Sequence, residues 1–285
     1  MPKKSLTVSF LVIALVLIGL VFSCVKRSIP IPPPPHHDST TTPPVDTTAF
    51  PPADTTGTVD LRLGLVLWLP FDGNMADSSG NNNMTEGLNG AGLVSDEHGS
   101  ASGAFGANGT NQVVLVTNNG SIKFDTAYSV SFNVQSNDNN SLHMYISMIN
   151  WTNGNAPTFG VGTSCPAYLN RVTIAANDSV AGCDNDGRGT NTALADTTNF
   201  NPQPGSWYNV IEVYHRGSVT TYVNGQIVGI KSGPGTRALD CLSEQVVVGG
   251  WWSGDPENLN GKIDDVRIYN RVLTGKEIAR LATRP

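Results

Sequence analysis

Beyond residue 60, apolar and polar residues alternate along the chain in short stretches that turn signals separate. The clearest stretch is YSVSFNV at residues 128–134, where alternation lets every second side chain face a core. Mostly apolar runs also lie at residues 65–69, 113–116, 142–149 and 246–248. The Asn224-Gly225 pair is typical of a hairpin with a type I′ turn. Many short strands without intervening helices predict an all-β fold of two antiparallel sheets, a sandwich or jelly roll.

The end of the chain has the pattern of a helix. Thr274 precedes Glu277 by three residues, which predicts a capping box, and Leu273 can pack onto Ile278. Ile278 and Leu281 form a small apolar face. We therefore expect one short C-terminal helix that packs on one end of the sandwich.

The first residues resemble a targeting segment. Lys3 and Lys4 precede a mostly apolar stretch at residues 6–22, and the sequence Val-Phe-Ser-Cys that ends at Cys24 resembles a lipobox. Ser23 is the small residue expected before the cleavage point, and Cys24 supplies the thiol for lipidation. We predict a lipoprotein signal peptide over residues 1–23; the alternative is a signal anchor retained as a transmembrane helix.

Residues 24–60 have the composition of a disordered linker. Prolines and threonines dominate, and related eight-residue units begin at Asp38 (DSTTTPPV), Asp46 (DTTAFPPA) and Asp54 (DTTGTVDL). Their Asp-Ser/Thr-Thr triplets also resemble the O-glycosylation acceptor of Bacteroidetes, although plain linker composition explains them too. The prediction is a lipid-anchored spacer at the outer membrane or cell surface, with the periplasmic face as an alternative, followed by one domain over residues 61–285.

The composition argues against nucleic acid as a partner. The formal net charge is −6, and only 14% of the residues are charged. Nucleic-acid binding requires clusters of Lys and Arg, and Lys26-Arg27 is the only adjacent basic pair after the first residues.

Three sequence blocks resemble bacterial concanavalin A-like (laminin G-like) jelly-roll domains. They are GLVLWLPFDGNMADSSGNNN from Gly64, GSWYNVIEVYHRGSVTTYVNGQIVG from Gly205 and LNGKIDDVRIYNRVLTGKEIARL from Leu259. The resemblance covers residues 61–285 and implies a jelly roll. Because this fold hosts both hydrolases and lectins, it does not decide the function.

No catalytic residue is predicted. Glycosidases of the laminarinase type, which share this fold, need two carboxylates about 5 Å apart, usually as Glu-x-Asp-x-x-Glu on one strand. That spacing is absent. Glu212 lies in a strand pattern, but the residues two positions away on either side are Val210 and Tyr214.

Acidic turns suggest a structural calcium ion. Asp72 and Asp77 flank a Gly-Asn turn, and Asp264 begins an acidic pair in the last strand pattern. The family resemblance implies that Asp77 and Asp264 share such an ion, with Asp72 as a further candidate. The alternative is that these side chains cap local backbone donors in Asx turns.

Three cysteines remain after Cys24. Cys165 and Cys183 flank a strand-like segment and are the predicted disulfide, with Cys183–Cys241 as the competing pair.

Aromatic residues are the candidates for ligand binding, because sugar rings stack on Trp. Trp151 enters an Asn-Gly loop, and Trp251 and Trp252 precede another loop, with one of this pair expected in the core. Trp68 and Trp207 lie inside strand patterns and are predicted core residues. The leading hypothesis is a non-catalytic recognition module that binds glycan or a protein partner. The alternatives are a glycoside hydrolase or lyase, and a structural surface protein.

Overall fold

A computed structural model of the chain describes residues 59–138, 143–149, 157–163, 198, 200–216, 218–232, 245–251, 253–254 and 256–283. All of them belong to the unit Val45–Pro285. The predicted signal peptide, Cys24 and nearly all of the linker therefore lie outside the described residues. In the part of the chain that is described, no helix has the length and apolar character needed to cross a bilayer.

The described fold contains strands and one helix. The strands are β1 (Leu65–Leu69), β2 (Met84–Gly87), β3 (Gly92–Val94), β4 (Ala104–Asn108), β5 (Val114–Thr117), β6 (Ala127–Ser136), β7 (Met144–Ile149), β8 (Pro157–Gly162), β9 (Trp207–His215), β10 (Ser218–Val223), β11 (Gln226–Ser232), β12 (Gln245–Val248) and β13 (Asn260–Tyr269), and the helix is α1 (Gly275–Ala282).

Antiparallel pairing joins these strands into two sheets. The eight-stranded sheet has the order β11-β10-β9-β6-β13-β4-β3, with β1 also paired to β13, and the five-stranded sheet has the order β2-β5-β12-β7-β8. The predicted all-β, antiparallel two-sheet jelly-roll sandwich with a short C-terminal helix is confirmed.

The core lies between the two sheets, and the apolar face predicted from the alternation in β6 points into it. All four apolar side chains of the 128–134 stretch are buried in this cluster. Tyr128 stacks on Tyr214 of β9, with ring centroids 5.2 Å apart, and on Phe159 of β8, at 5.3 Å. Because β8 belongs to the other sheet, these rings join the two layers. Aromatic pairs of this geometry stabilise a core beyond their buried area.

The hairpin and the capped helix both form as predicted. Asn224 and Gly225, between β10 and β11, have φ values of 48° and 77°, as a type I′ turn requires. Thr274 and Glu277 form the complete capping box of α1.

The position of α1 differs from the prediction. Its buried residues pack with Ile211, Val213 and Tyr269. Ile211 and Val213 alternate along β9 with Val210 and Tyr214, which face the core between the sheets. The helix therefore covers the outer face of the eight-stranded sheet, and the expectation that it packs on one end of the sandwich is wrong. The apolar pattern of the helix does not specify which apolar surface it covers.

Candidate functional site

A β-bulge in β13 builds the candidate site. Asp264 pairs with Asn133 of β6 and Arg267 pairs with Ser131, so β13 advances three residues where β6 advances two. Asp265 has a φ of 46°, a conformation that few residues other than glycine adopt. Its backbone N–H donates to Asp264 Oδ1 at 2.6 Å. The extra residue resets the alternation of side chains, and as a result both aspartates and Arg267 line one cleft.

This cleft, which we call the bulge cleft, has a volume of about 300 Å³. Five parts of the chain contribute to it: the segment before β1, the turn after β1, the turn between β3 and β4, β13 and α1. Its charged and titratable lining residues are Asp72, Asp96, His98, Asp264, Asp265, Arg267 and Arg280. Leu61 and Leu281 add apolar surface. The cleft therefore combines hydrogen-bond acceptors and donors around a small volume.

Asp265 and its partners make one wall of the bulge cleft rigid. The indole Nε1 of Trp68 donates to Asp265 Oδ1 at 2.6 Å, and Arg267 Nε donates to the same oxygen at 3.0 Å. The Arg267 guanidinium carbon lies 4.6 Å from the centroid of the Trp68 ring, a cation–π geometry. Burial lowers the pKa of Arg267, but the Asp265 carboxylate outweighs that effect and raises it. Arg267 is therefore charged and held in one orientation.

Two of the tryptophans predicted to lie in the core occupy other environments. Trp68 and Trp207 are both half-buried. Trp68 packs with the cluster under α1, on the outer face of the eight-stranded sheet. The strand pattern around Trp68 predicts a buried side chain. It does not show that α1, rather than the second sheet, provides the cover.

The carboxylate of Asp96 supplies an ionised acceptor to the bulge cleft. Desolvation would raise the pKa of Asp96, but hydrogen bonds from the backbone N–H groups of Ser100 and His98, each 2.8 Å long, hold it below its usual value. An ionised carboxylate only accepts hydrogen bonds. The cleft therefore presents acceptors at Asp96 and donors at the arginines.

The predicted calcium ligands have different environments. Asp77 Oδ1 accepts from the backbone of Trp68 and Ser79, at 3.1 and 2.9 Å, and its Oδ2 accepts from the Ser79 hydroxyl and from two nitrogens of Asn83, at 2.8–3.0 Å. Burial alone would raise the pKa of Asp77, but these hydrogen bonds outweigh it and lower the pKa. Five donors occupy this carboxylate, which matches the Asx-turn alternative.

Asp72 and Asp264, by contrast, both line the bulge cleft, whereas Asp77 does not. Among the residues the structure describes, no three His, Cys, Asp or Glu side chains converge as a metal-binding group. The five hydrogen bonds to the Asp77 carboxylate favour the Asx-turn alternative at this residue. Calcium binding through Asp72 and Asp264 stays a prediction that a calcium titration of the wild type and Asp264→Asn tests.

Trp251, a predicted ligand-binding residue, is a packing residue. It is 8% exposed and belongs to a cluster with Val113, Met144 and Val247. Its ring lies so close to Gly160 that a Cβ there would be 2.9 Å from the ring. Its Nε1 donates to Glu257 at 3.3 Å. This arrangement agrees with the expectation that one residue of the Trp251-Trp252 pair is in the core.

Several predicted residues cannot be placed. Trp151, Trp252 and the predicted disulfide partners Cys165 and Cys183 lie outside the described residues, as does Cys241. The ligand-binding and disulfide predictions for these residues stay predictions.

A buried histidine cluster was missed by the sequence reasoning. His143 is 4% exposed, and its Nε2 lies 2.6 Å from Asp138 Oδ1 while its Nδ1 lies 3.0 Å from the carbonyl oxygen of Asn258. Asn260 Nδ2 donates to the other oxygen of Asp138 at 2.8 Å. The cluster joins the residues next to β6, β7 and β13. No sequence spacing signals it, because Asn258 is 115 positions from His143.

Glu212 is the described carboxyl group whose pKa is raised, and it lies far from solvent. It is fully buried on β9, and it shares a face with Val210 and Tyr214 between the sheets. Burial raises its pKa to about 8, against a lowering by the hydrogen bond that the Tyr128 hydroxyl donates at 3.2 Å. A general acid must reach its substrate. The raised pKa would keep Glu212 protonated at neutral pH, as a general acid requires, but a substrate cannot reach its buried side chain.

The comparisons with known proteins identify the fold family. The sequence model of the concanavalin A-like lectin/glucanases superfamily, laminin G type, matches residues 108–279, more than half of the chain. No curated protein sequence matches the chain.

Three solved structures illustrate the likeness. The binding domain of Paraclostridial Mosquitocidal Protein 1 is 20% identical with a TM-score of 0.59, over 78% of this chain and 52% of that one. Domain 4 of AbnA, a GH43 extracellular arabinanase from Geobacillus stearothermophilus in complex with arabinotriose, is 19% identical with a TM-score of 0.54, over 77% and 98%. The binding domain of botulinum neurotoxin DC in complex with rat synaptotagmin II is 17% identical with a TM-score of 0.56, over 78% and 52%.

The chain thus spans about half the length of the two binding domains and nearly all of the arabinanase domain. At these identities the likeness shows a common fold.

Proposed function

The chain belongs to the concanavalin A-like lectin/glucanases superfamily, and from that premise we propose that its folded domain is a non-catalytic recognition module that binds glycan. The bulge cleft carries the proposal. The carboxylate of Asp96, whose pKa is lowered, would accept hydrogen bonds from sugar hydroxyls, and the guanidinium groups of Arg267 and Arg280 would donate to sugar oxygens. The arabinanase domain of the same fold, in complex with arabinotriose, supports a saccharide as the ligand.

The environments of the carboxylates favour binding over hydrolysis. A glycosidase needs one protonated acid beside an ionised carboxylate at the substrate. In the described part of the chain, the carboxyl with the raised pKa is Glu212, which no solvent reaches, while the pKa of Asp96 in the cleft is lowered. A glycoside hydrolase or lyase is the alternative that activity on polysaccharides would support.

The proposal includes a lipid anchor. Cys24 would carry the lipid, and residues 24–60 would act as a spacer that holds the domain at the outer membrane or cell surface. An acylated terminus binds a bilayer because each buried CH₂ contributes about 0.8 kcal/mol. The Cys24→Ala variant should lose incorporation of labelled palmitate and appear in the soluble fraction. A chain that still fractionates with membranes would instead support a retained signal anchor.

A glycan array with the full chain in detergent tests the binding proposal. Arg280 is exposed at the cleft, so Arg280→Ala should weaken glycan binding about tenfold, the loss expected for a charged hydrogen bond, without changing the fold. Lys123→Ala removes an exposed positive charge elsewhere and is the matched control. Trp252→Ala tests the aromatic prediction in parallel.

Three outcomes would contradict the proposal. Sugar release from a polysaccharide by the wild type would support the enzyme. Equal loss of binding in the Arg280 and Lys123 variants would show that net charge alone matters. Absence of any glycan binding would favour a protein partner or a structural surface role.

A further inference from the structure

A second groove adjoins the bulge cleft on the outer face of the eight-stranded sheet. It has a volume of about 360 Å³. Its lining combines glycine backbone and the apolar residues Leu93, Val94 and Ala107 with the polar residues Gln112, Asn137 and Lys262. We call it the glycine groove.

The two cavities lie in line along β13. Lys262 lines the glycine groove, and Asp264, two positions later on the same strand, lines the bulge cleft. On the edge strand β3, which β4 separates from β13, Val94 lines the groove, and Asp96, two residues later, lines the cleft. The point between the cavities is marked by the Lys262 ammonium, which donates to the carbonyl oxygen of Ser95 at 3.0 Å. Because strand residues alternate in period two, Lys262 and Asp264 point to the same side.

Glycines form part of the floor of the glycine groove, and the Val94 side chain covers one of them, since a Cβ added at Gly106 would lie 2.8 Å from it. Gly92 of β3 pairs with Gly106 of β4, and Gly106 pairs with Lys262 of β13. A Cβ added at Gly92 would meet only the carbonyl oxygen of Gly90, at 3.8 Å. The space above Gly92 is therefore open, and a larger side chain there would occupy the groove without strain on the backbone.

The polar lining residues of the glycine groove can exchange hydrogen bonds with hydroxyl groups of a ligand. Lys262 donates one hydrogen bond to Ser95, and no carboxylate in the described part of the chain pairs with its ammonium. An ammonium group has three donors, so two remain for a ligand. Gln112 and Asn137 add amide oxygens. A strongly acidic ligand would fit Lys262 but would meet four aspartates in the bulge cleft, which favours a neutral ligand.

We propose that the ligand is a neutral glycan chain, longer than a single sugar ring, that lies along β13 across the bulge cleft and the glycine groove. From Lys262 to Arg267 the strand extends on the order of 15 Å, at about 3.3 Å per residue. That span exceeds one sugar ring, so a monosaccharide fills one cavity and an oligosaccharide contacts both. The inference rests on the proposed function, because it takes the bulge cleft as the glycan site.

Binding of matched oligosaccharides tests the inference. The probes are the monosaccharide, trisaccharide and hexasaccharide of arabinose, xylose and glucose, titrated into the full chain in detergent. For the series that binds, affinity should rise about tenfold or more from the monosaccharide to the hexasaccharide. Gly92→Leu should lower hexasaccharide affinity about tenfold and leave the monosaccharide affinity unchanged. Lys262→Ala should act in the same direction.

The controls separate groove blocking from misfolding. Thr117→Leu adds an exposed leucine on the five-stranded sheet, and Lys123→Ala removes an exposed lysine; both should leave binding unchanged. Each variant is accepted only if its melting temperature matches the wild type.

Equal affinity for the monosaccharide and the hexasaccharide, or no effect of Gly92→Leu on either, would overturn the extended site while the glycan-binding function stands. If no saccharide binds at all, the proposed function itself fails.

Discussion

Buried carboxyl groups in the interior of the sandwich and on its outer side differ in the number of hydrogen-bond donors around them. Glu212, Asp265 and Glu277 are 0%, 3% and 4% exposed, and Glu212 lies deeper than Glu277, between the two sheets. In the interior, Glu212 accepts a hydrogen bond from the Tyr128 hydroxyl, and its Oε2 has no partner among the described residues. On the outer side, Asp265 is held by Trp68 and Arg267, and Glu277 accepts from Arg271 at 2.6 and 2.8 Å.

The number of hydrogen-bond donors and the depth of burial together decide whether Glu212 and Glu277 stay ionised. Desolvation raises the pKa of Glu212 to about 8. Burial would also raise the pKa of Glu277, but hydrogen bonds from Arg271 and Thr274 outweigh it and lower the pKa. Glu277 is therefore held ionised by its donors, whereas Glu212, with one donor, keeps its proton at neutral pH.

The largest expected effect is the change in the pH dependence of stability when Glu212 is replaced by a residue that cannot ionise. Its pKa is raised from 4.5 to about 8 by folding, so its stabilising contribution is fully present below pH 4.5 and is lost as pH rises through 8. Glu212→Gln mimics the protonated form. Wild type and variant should be equally stable near pH 4, and the variant should be more stable by a few kcal/mol at pH 9, since each pKa unit is worth about 1.4 kcal/mol.

Urea unfolding at a series of pH values measures this difference. Glu86→Gln, at an exposed site, is the control. Parallel stability curves for the wild type and the Glu212 variant would contradict the protonated state of Glu212.

The next effect concerns Asp265, whose loss leaves Arg267 buried without its partner. Asp265→Ala should lower the free energy of unfolding by about 3 kcal/mol, as expected for breaking a buried ion pair. Asp265→Asn should cost less, because Asn keeps an acceptor for Trp68 and tolerates the positive φ. Asp125→Ala, at an exposed site, is the control. Equal losses for the Ala and Asn variants would show that the charge alone matters.

A smaller effect is expected at Asp77. Asp77→Ala removes the acceptor of five hydrogen bonds in a half-buried turn and should cost about 2 kcal/mol. Because the pKa of Asp77 is lowered, its contribution is present above its usual pKa of 3.8 and is lost as pH falls through the lower folded value. Asp72→Ala, in the same turn but exposed, should leave thermal unfolding unchanged. A similar loss at both positions would contradict the turn-forming role of Asp77.

The smallest effect is expected at Glu277. Glu277→Gln keeps an acceptor for the cap of α1 but loses the ion pair with Arg271, and should cost about 1 kcal/mol at neutral pH. The difference should disappear at acid pH, since the pKa of Glu277 is lowered and its contribution is lost as pH falls. Chemical denaturation at a series of pH values from 7 downwards measures it, with Glu97→Gln as the exposed control. A loss that does not shrink as the pH falls would show that the charge is not involved.

The candidate site was only partly predictable. The sequence predicts Asp72 and Asp264 as possible calcium ligands. Both residues line the bulge cleft, which we propose as a glycan site. Asp265 and Arg267 are not among the predicted site residues, and strict alternation would put both on the opposite face from Asp264. Trp251 is a predicted stacking residue but is buried. The sequence around an aromatic residue before a loop does not show whether its ring is exposed or buried.

Local features of the fold follow from the chain alone. Alternation in β6, the Asn224-Gly225 turn and the Thr274 capping box depend on residues a few positions apart, and their physics is contained within one element. The tertiary structure decides the bulge in β13, the surface that α1 covers and the donors that reach each carboxyl. The contact between Trp68 and Asp265 joins residues 197 positions apart, and only the pairing of distant strands brings such groups within hydrogen-bonding distance.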